Sequence, residues 1–357
     1  MIRRALAAGG AAVLSALTLR AATRRASARL LAAPRVTPGE AGLQPALDAL
    51  GGEVVRLRAR DGLALSARWL PVERGDGDWV ADPHEAVLLM HGYSGSVAPD
   101  LVEYGPFLRK TASVLGLDFR GHGDSDAGPS TFGMLEVEDV AGALDWLGER
   151  GIDRLALVGT SMGGIAAIAS VAILGDGTLV AADIDPARPR APIGVPRPRI
   201  VAVVADSTAP EVEIPVANRL PIPGARFVAA RLFDAAARTL GADPRLTEPG
   251  RMIGLVEPVP LLLIHGEDDR TVPLADGRRL VALAGPSTEH WIVPGADHSQ
   301  GHSVAGQDYE RRVTDFLRVA FGRARDEHVE RSGASPIIAP PRPADGGPDT
   351  HATSVED

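Results

Sequence analysis

The amino-acid sequence predicts an α/β protein with a mostly parallel central sheet and helices on both of its faces. Short apolar runs recur along the chain, as expected for strands that are buried on both faces. Helical patterns separate most of these runs, and strands that alternate with helices at this spacing pair in parallel. With 357 residues, 45% of them hydrophobic and 23% charged, the chain is long enough for one large globular domain of this class.

The predicted strands begin with a hairpin and continue as short buried runs. The first two runs are joined at Asp61-Gly62, a turn sequence that predicts an antiparallel pair. In a mostly parallel sheet, functional sites lie at the carboxyl ends of the strands, so the residues that follow each run are the candidates for function. The runs are Glu53–Ala59, Ala64–Leu70, Ala86–Met90, Ser113–Phe119, Arg154–Val158, Ile200–Ala205, Pro260–Ile264 and His290–Val293.

Helices and two long insertions lie between these strands. The clearest helical patterns are Met134–Gly148, Met162–Leu174 and Gly306–Phe321. Gly175–Arg199 is rich in proline and glycine and predicts a loop. A lid insertion is predicted at about residues 207–258, with a helix near its centre. An insertion of this length between two strands is uncommon unless it acts as a lid or a binding segment.

Composition and charge exclude several classes of protein. Cysteine is absent, which excludes disulfides, thiolate metal sites and a cysteine nucleophile. No apolar run reaches the length of about 18 residues that indicates a membrane helix, so a polytopic membrane protein is excluded. Residues 1–40 carry a net charge of +6 and the whole chain −9, so the remainder is strongly acidic. An acidic body repels phosphate backbones, so we expect no nucleic-acid partner. No cluster of ligand side chains indicates a metal or a cofactor, and we expect neither.

The two termini differ in composition from the domain between them, which the sequence places at residues 41–323. Residues 1–40 resemble a signal or anchor segment, because arginines flank the uncharged stretch Ala5–Leu19. We expect a bacterial protein that is membrane-associated or exported through residues 1–38; a solvated helix on a cytoplasmic protein is the alternative. Residues 324–357 are rich in proline and predicted to be disordered.

The central functional motif is Gly159-Thr160-Ser161-Met162-Gly163. It directly follows a predicted strand and opens a predicted helix, the setting that a serine nucleophile requires. Glycines two residues before and two after Ser161 let the strand and the helix approach each other closely. We therefore predict that Ser161 is a nucleophile. A serine that only caps a buried helix is the alternative interpretation.

A serine nucleophile needs a histidine base and an orienting acid, in the chain order Ser, Asp, His for this architecture. His298 follows the last predicted strand, at the edge of the sheet that carries Ser161, and is the predicted base. His302 in the same loop is the reserve candidate. Three acids lie at strand carboxyl ends and are eligible by location alone: Asp206, Asp268 and Asp269.

The oxyanion of an acyl-transfer reaction needs two backbone N–H donors. The first predicted donor is the N–H group of Met162, at the start of the helix after Ser161. The second is the N–H group of Tyr93, because His91-Gly92-Tyr93 ends another strand and its glycine allows a close approach. The phenol of Tyr93 is either part of the wall of the site or a catalytic group.

Taken together, these motifs make the chain resemble an α/β-hydrolase fold serine hydrolase, in the group of monoacylglycerol lipase-like and serine aminopeptidase-like members. The resemblance covers about residues 50–322. It implies that Asp269, four residues after His265 and three before Val272, is the acid, and that His122 belongs to a structural turn. The matching motifs are His91-Gly92, Asp118 to Ser125, Gly159–Gly164, His265-Gly266 with Asp269 and Val272-Pro273, and Gly295 with His298.

A further motif indicates a particular subgroup of this fold. Thr131-Phe132-Gly133, followed by Glu136 and Asp139, is similar to a bacterial and often membrane-associated subgroup of this fold. The Ser161 nucleophile argues against dehalogenases and epoxide hydrolases, which resemble this fold but use an aspartate there.

We therefore expect a serine hydrolase that cleaves a carboxylic ester, or a related acyl compound, through an acyl-enzyme intermediate. Its partner would be a small acyl substrate. Alternatives on the same fold are a peptidase or amidase, a thioesterase and an acyltransferase. A catalytically inactive binding protein is a further alternative, opposed by the presence of Ser161, Asp269 and His298.

Overall fold

The computed structural model of the protein describes residues 18–73, 79–175 and 197–332. Within these ranges an eight-stranded sheet runs in the order β1-β2-β4-β3-β5-β6-β7-β8. Strand β2 is antiparallel to both of its neighbours, and all pairs from β4 to β8 are parallel. The predicted fold class is confirmed. The strands are β1 Glu53–Arg58, β2 Ala64–Leu70, β3 Glu85–Met90, β4 Ser113–Leu117, β5 Arg154–Thr160, β6 Arg199–Asp206, β7 Leu261–Gly266 and β8 Thr288–Val293.

Helices cover both faces of the sheet. The described part of the first helix, α1, spans residues 18–31. Two of the further helices separate strands up to β5, and the longest helix closes the described chain. The predicted loop Gly175–Arg199 falls largely outside the described residues. The other helices are α2 Gln44–Leu50, α3 Ala98–Leu108, α4 Glu136–Glu149, α5 Met162–Leu174, α6 Glu213–Asn218, α7 Ala225–Leu240, α8 Pro249–Met252, α9 Leu274–Leu283, α10 Gly301–Ala305 and α11 Gln307–Ser332.

Alternate residues of each central strand enter different hydrophobic cores. On β3, Leu88 belongs to the core beneath α4 and α5, whereas its neighbour Leu89 belongs to the core beneath α3 and α11. Every residue of β3, β4, β5 and β7 is buried. Because both faces of these strands are covered, their sequences are continuous apolar runs without alternation. This is the physical reason that the runs could be recognised in the sequence.

Short helices form the predicted lid segment, residues 207–258, between β6 and β7. Its longest helix, α7, inserts Phe233 into the core beneath α4 and α5, where the side chain is fully buried. Arg245 holds the segment together by ion pairs with three acids of the lid, at distances of 2.8 to 3.0 Å. The lid segment is therefore a packed part of the domain, attached by apolar contacts and by charge.

The N-terminal segment contacts the domain before the boundary predicted at residue 41. Ser27 and Leu31 of α1 are buried. The N–H group of Ser130 donates to the carbonyl oxygen of Leu31 at 2.7 Å, and that of Gly95 donates to Pro34 at 2.7 Å. Residues 27–40 thus pack on the domain, ahead of the predicted division. No helix in the described ranges combines the length and apolar character that crossing a membrane requires.

The prediction that the C-terminal tail begins at residue 324 is wrong, because α11 continues to Ser332. Ala324 is buried, and Arg325 donates to both carboxylate oxygens of Glu85, at 2.7 and 2.6 Å. The Glu85 side chain is completely buried at the start of β3, where Arg154 also contacts it. The apolar pattern of the sequence fades after Phe321, and the next turn of the helix is fixed by this ion pair together with the small buried side chain of Ala324.

This contact predicts where the chain can be shortened. Deleting residues 324–357 is expected to lower the free energy of unfolding by about 2 kcal/mol or more, since the buried Glu85 carboxylate loses one of its two arginines. For a domain of this size that is a fall in Tm of several degrees. Deleting residues 333–357 removes none of these contacts and is the control. Equal melting temperatures for the two truncated proteins, measured by circular dichroism, would contradict the prediction.

Candidate active site

The turn between β5 and α5 carries Ser161 in a conformation that few residues adopt. Its φ of 53° and ψ of −109° place the side chain at the carboxyl edge of the sheet. Glycine is required on both sides of this turn. A Cβ atom at Gly159 would clash with the backbone of Gly163, and one at Gly163 would clash with the carbonyl oxygen of Met90. The close approach of strand and helix that the motif predicts is therefore present.

Three of the predicted side chains form one hydrogen-bonded chain. The Nε2 atom of His298 lies 3.0 Å from Oγ of Ser161, and its Nδ1 atom lies 2.8 Å from Oδ2 of Asp269. The Asp269 side chain is completely buried, and its Oδ1 atom accepts the N–H groups of Thr271 and Val272 at 2.8 and 2.7 Å. These bonds fix the carboxylate, so that Nδ1 of His298 is the donor and Nε2 faces the serine.

A second ion pair joins the loop of Asp269 to the loop of His298, and sequence reasoning missed it. The N–H group of Arg270 donates to Oδ1 of Asp297 at 3.0 Å, and the two side chains form an ion pair. The same Oδ1 atom accepts the N–H group of His298 at 2.8 Å. The N–H and guanidinium groups of Arg270 hold the pKa of Asp297 well below its usual range. The sequence offers one signal for this contact, which is Asp297 directly before the predicted base.

The two segments that carry the predicted oxyanion donors lie next to the serine. A Cβ atom added to Gly92 would lie 3.6 Å from Cβ of Ser161, so the loop that carries Tyr93 passes next to the nucleophile. Met162 is the first residue of α5, where an N–H group has no acceptor within the helix. The phenol of Tyr93 donates to the carbonyl oxygen of Leu30 at 2.8 Å. That contact makes the phenol a fixed part of the wall.

Two buried histidines support the loop after β3. His91 is 1% exposed, and its Nε2 atom accepts the N–H group of Phe119 at 3.1 Å. His122 accepts the N–H group of Ser94 at 3.3 Å and donates through Nδ1 to the carbonyl oxygen of Arg120 at 2.9 Å. Burial, together with the neighbouring His122, lowers the pKa of His91 to about 3. Both histidines act as neutral acceptors for backbone N–H groups.

The motif after residue 130 shapes the wall of the site. Glu136 is fully buried and accepts the N–H groups of Thr131 and Gly133, at 2.8 and 2.9 Å, together with the Thr131 hydroxyl at 2.6 Å. These bonds hold Phe132 at a φ of 55°. Its ring stacks on Tyr93 with centroids 5.1 Å apart. Glu136 thus positions an aromatic wall beside the predicted oxyanion donor.

The lid segment touches this wall and the loop of Asp269. The ring of Phe233 on α7 packs edge-on against Phe132, with centroids 5.4 Å apart. The side-chain amide of Asn218 donates to the carbonyl oxygen of Thr271 at 3.0 Å. The lid therefore contacts two sides of the site, at the wall and at the acid loop.

The remaining candidates lie elsewhere. The two nitrogens of His302 contact Glu103 and Glu310, at 2.9 and 3.2 Å, so the structure does not bring this histidine to Ser161. Asp268 is exposed. Asp206 is buried behind the site and does not contact the ring nitrogens of His298. In the described part of the chain, no three His, Asp or Glu side chains converge as metal ligands would.

Comparison with known proteins agrees with this geometry. The model of the alpha/beta hydrolase family matches residues 86–315, and the chain belongs to that family. The predicted resemblance to this fold is confirmed, and the chain is a hydrolase by fold and family.

Relatives and solved structures extend the comparison. The chain is 27% identical over 280 residues to the "Uncharacterized protein YfhR" of Escherichia coli strain K12, which covers 77% of this chain and 83% of that one. The protein of the same name from Salmonella typhi is 27% identical over 276 residues, 75% of this chain and 82% of that one. Both relatives are bacterial.

Two solved structures share the fold at low identity. The esterase Pf2001 of Pyrococcus furiosus superposes with a TM-score of 0.57 at 21% identity, over 81% of this chain and 98% of that one. The alpha/beta hydrolase GrgF of Penicillium sp. sh18 has a TM-score of 0.53 at 19% identity, over 76% and 99% of the two chains. At such identities the likeness supports the fold alone.

The buried His91 predicts a pH-dependent loss of stability. Its folded-state pKa of about 3 lies below the ordinary value of 6.5, so between these values the unfolded chain binds a proton that the folded chain does not. Stability from this residue is therefore complete above pH 6.5 and falls as the pH is lowered towards 3. At pH 4.5 the cost is about 2–3 kcal/mol.

The variant His91→Gln keeps an acceptor for the Phe119 N–H group and does not titrate. The difference in unfolding free energy between the wild type and this variant should therefore move in favour of the variant by about 2–3 kcal/mol from pH 7.5 to pH 4.5. Urea denaturation at the two pH values measures it. A difference that stays constant with pH would show that His91 is not buried in the neutral form.

Proposed function

We propose that the protein is a serine hydrolase that cleaves carboxylic esters through an acyl-enzyme intermediate on Ser161. The observation that carries this proposal is the chain of hydrogen bonds from Ser161 through His298 to the buried Asp269, at 3.0 and 2.8 Å. A serine in a strained turn, a histidine within reach of its oxygen and an acid that orients the histidine are the groups that nucleophilic acyl transfer needs. They occur here on a hydrolase fold.

The reaction proceeds in two halves. His298 takes the proton of the Ser161 hydroxyl through Nε2 as Oγ attacks the ester carbonyl. Asp269 holds the Nδ1–H group and stabilises the imidazolium that forms. The N–H groups of Tyr93 and Met162 donate to the oxyanion. Collapse breaks the bond to the alcohol, which leaves with the proton from His298. Water then attacks the acyl-enzyme with the same histidine as base, which releases the acid and restores the serine.

Other acyl compounds remain candidates for the same site. A peptidase or amidase, a thioesterase and an acyltransferase would use the same nucleophile and base. A panel of p-nitrophenyl esters of increasing chain length, aminoacyl amides and acyl thioesters separates these activities by kcat/KM. The ester proposal requires the highest value on an ester, and a higher value on an amide or thioester would replace it.

The nucleophile is tested by Ser161→Ala. Removing this oxygen is expected to lower kcat on a p-nitrophenyl ester by about 10³-fold or more, with an unchanged Tm, and to abolish labelling by a fluorophosphonate. Ser303→Ala is the matched control, because this serine is exposed and bonds only to the carbonyl oxygen of Gln300. A Ser161→Ala protein that keeps a tenth of the activity would refute the assignment. Wild-type protein that neither labels nor turns over ester would support an inactive binding protein instead.

We also propose that the N-terminal segment associates with a negatively charged membrane surface. The support is the charge of α1, whose four arginines are exposed and which contains no acid in residues 18–31. Each arginine near an anionic bilayer contributes about 1 kcal/mol of attraction. Because the end of this helix is bonded to Tyr93 and Ser130, a membrane that holds α1 would lie near the site. The four arginines are Arg20, Arg24, Arg25 and Arg29.

Sedimentation of the full-length protein with vesicles tests this association. The wild type should bind phosphatidylcholine vesicles containing about one third phosphatidylglycerol more tightly than pure phosphatidylcholine. The triple variant Arg20→Gln, Arg24→Gln, Arg25→Gln should bind at least about tenfold more weakly, since it loses three cationic contacts. The control carries the same charge change on exposed positions of α11: Arg311→Gln, Arg312→Gln, Arg323→Gln. Equal loss in both triple variants would make the effect one of net charge and not of α1.

A further inference from the structure

We propose that Asp206 and Ser207 are positioning residues that fix the loop of His298 relative to Ser161. The proposal rests on the proposed function, because it assigns these two residues to the geometry of the nucleophile and its base. They follow one another at the carboxyl end of β6, the strand next to β5. No sequence motif singles out Ser207. The sequence indicates Asp206 only as one of three acids that could orient the histidine.

One residue pair contacts both halves of the site. The N–H group of Ser161 donates to the carbonyl oxygen of Asp206 at 2.8 Å. The N–H group of Ser299, the residue after His298, donates to Oγ of Ser207 at 2.9 Å. Nucleophile and base are thus each attached, through a backbone N–H group, to the same two residues. A shift at the end of β6 would change the distance between Ser161 and His298.

With Asp206 as a carboxylate, every hydrogen bond described in this cluster has an assigned donor. A backbone N–H group can only donate, so Oγ of Ser207 accepts from Ser299, and its own hydrogen goes to Oδ1 of Asp206 at 2.8 Å. The hydroxyl of Tyr309 on α11 donates to Oδ2 of Asp206 at 2.9 Å. The carboxylate accepts from both sides and holds the Ser207 hydroxyl in one rotamer.

The backbone at both ends of the bond between Ser207 and Ser299 is strained. Ser207 has a φ of 55° and Ser299 a φ of 57°, in the left-handed region that residues other than glycine rarely occupy. Each such residue costs about 1 kcal/mol or more and persists where the surroundings over-determine it. Here the two strained residues face each other across a single hydrogen bond, which orients the serine hydroxyl towards the histidine loop.

The charge of Asp206 acts on the base as well. Asp206 is 2% exposed and makes no ion pair with an arginine or lysine of the described residues. Burial raises its pKa, and the bonds from Ser207 and Tyr309 and the nearby rings of His265 and His298 oppose that shift. In its ionised form this carboxylate favours the imidazolium that His298 becomes in the reaction.

Several other charged or titratable groups lie around His298 and also contribute to the electrostatic environment of its ring. They are Asp269 and His265 at the end of β7, Asp297 with its partner Arg270, Arg219 at the end of α6 through its interaction with Asp269, and Tyr309 on α11.

Two substitutions distinguish the positioning role of the Ser207 hydroxyl from the electrostatic role of the Asp206 carboxylate. Ser207→Gly removes the hydroxyl and relieves the positive φ, so that any loss of activity comes from the missing hydrogen bond. Asp206→Asn keeps an acceptor for the Ser207 hydroxyl and removes the charge. We expect Ser207→Gly to lower kcat on a short p-nitrophenyl ester about tenfold with KM within twofold, and with the acid side of the pH profile unmoved.

Asp206→Asn should instead shift the acid side of the kcat/KM profile to lower pH by about half a unit or more, because the imidazolium loses a stabilising charge. Tyr309→Phe is the comparison variant for a structural effect, since it removes a hydrogen bond to the far oxygen of the same carboxylate. It should lower Tm with a smaller change in kcat than Ser207→Gly.

The outcomes are distinct. If Ser207→Gly lowers Tm as Tyr309→Phe does while kcat stays within twofold of the wild type, the positioning role is refuted. An unmoved pH profile in Asp206→Asn refutes the electrostatic role. Asp269→Asn serves as the reference, with an expected loss of at least about a hundredfold in kcat/KM. If Asp269→Asn and Ser161→Ala are both fully active, the proposed function itself fails, independently of Asp206 and Ser207.

Discussion

The close approach of β5 and α5 at Ser161 is the constraint on which the rest of the site depends. The turn places a non-glycine residue at a φ of 53°, and it closes only because Gly159 and Gly163 have no side chains. Once it is closed, the Ser161 hydroxyl projects from the sheet edge and the first N–H group of α5 lies beside it. The segments that carry the other residues of the site have to approach the Ser161 hydroxyl. The loops after β3, β6, β7 and β8 do so from the carboxyl ends of parallel strands.

Buried polar groups make those loops rigid, and each is used by a backbone N–H group. His91 accepts from Phe119 after β4, and His122 accepts from Ser94, the residue after Tyr93. Glu136 accepts three bonds from the loop of Phe132. An unpartnered group of this kind would cost about 1–3 kcal/mol, so the native loop conformation is strongly favoured over its alternatives. This explains why the motif after residue 130, noticed in the sequence only as a family likeness, consists of small and acidic residues around one aromatic ring.

The sequence predicts the sheet well because its central strands are buried on both faces and form unbroken apolar runs. It does not predict α3, since Pro99 and Pro106 interrupt the helical pattern, although Pro99 lies in the first turn, where a helix tolerates proline. It also misses the last turns of α11, which an ion pair to Glu85 fixes without an apolar signal. Contacts between distant charged residues leave no periodic pattern in a single sequence, so only the folded chain reveals them.

The choice of the acid that orients His298 shows that prediction from the sequence has the same limit at the site. Strand ends alone leave Asp206, Asp268 and Asp269 open, because residues at strand carboxyl ends share one edge of the sheet. Distance to the histidine ring decides between the two buried ones, because Oδ2 of Asp269 lies 2.8 Å from Nδ1 of His298 whereas Asp206 bonds to other side chains. Both carboxylate oxygens of Asp206 already accept hydroxyl groups, from Ser207 and Tyr309. Asp269 uses Oδ1 for two backbone N–H groups and has Oδ2 available for Nδ1 of His298. Asp269 therefore holds the ring of His298. Asp206, through the hydroxyl of Ser207, holds the backbone of the residue that follows it.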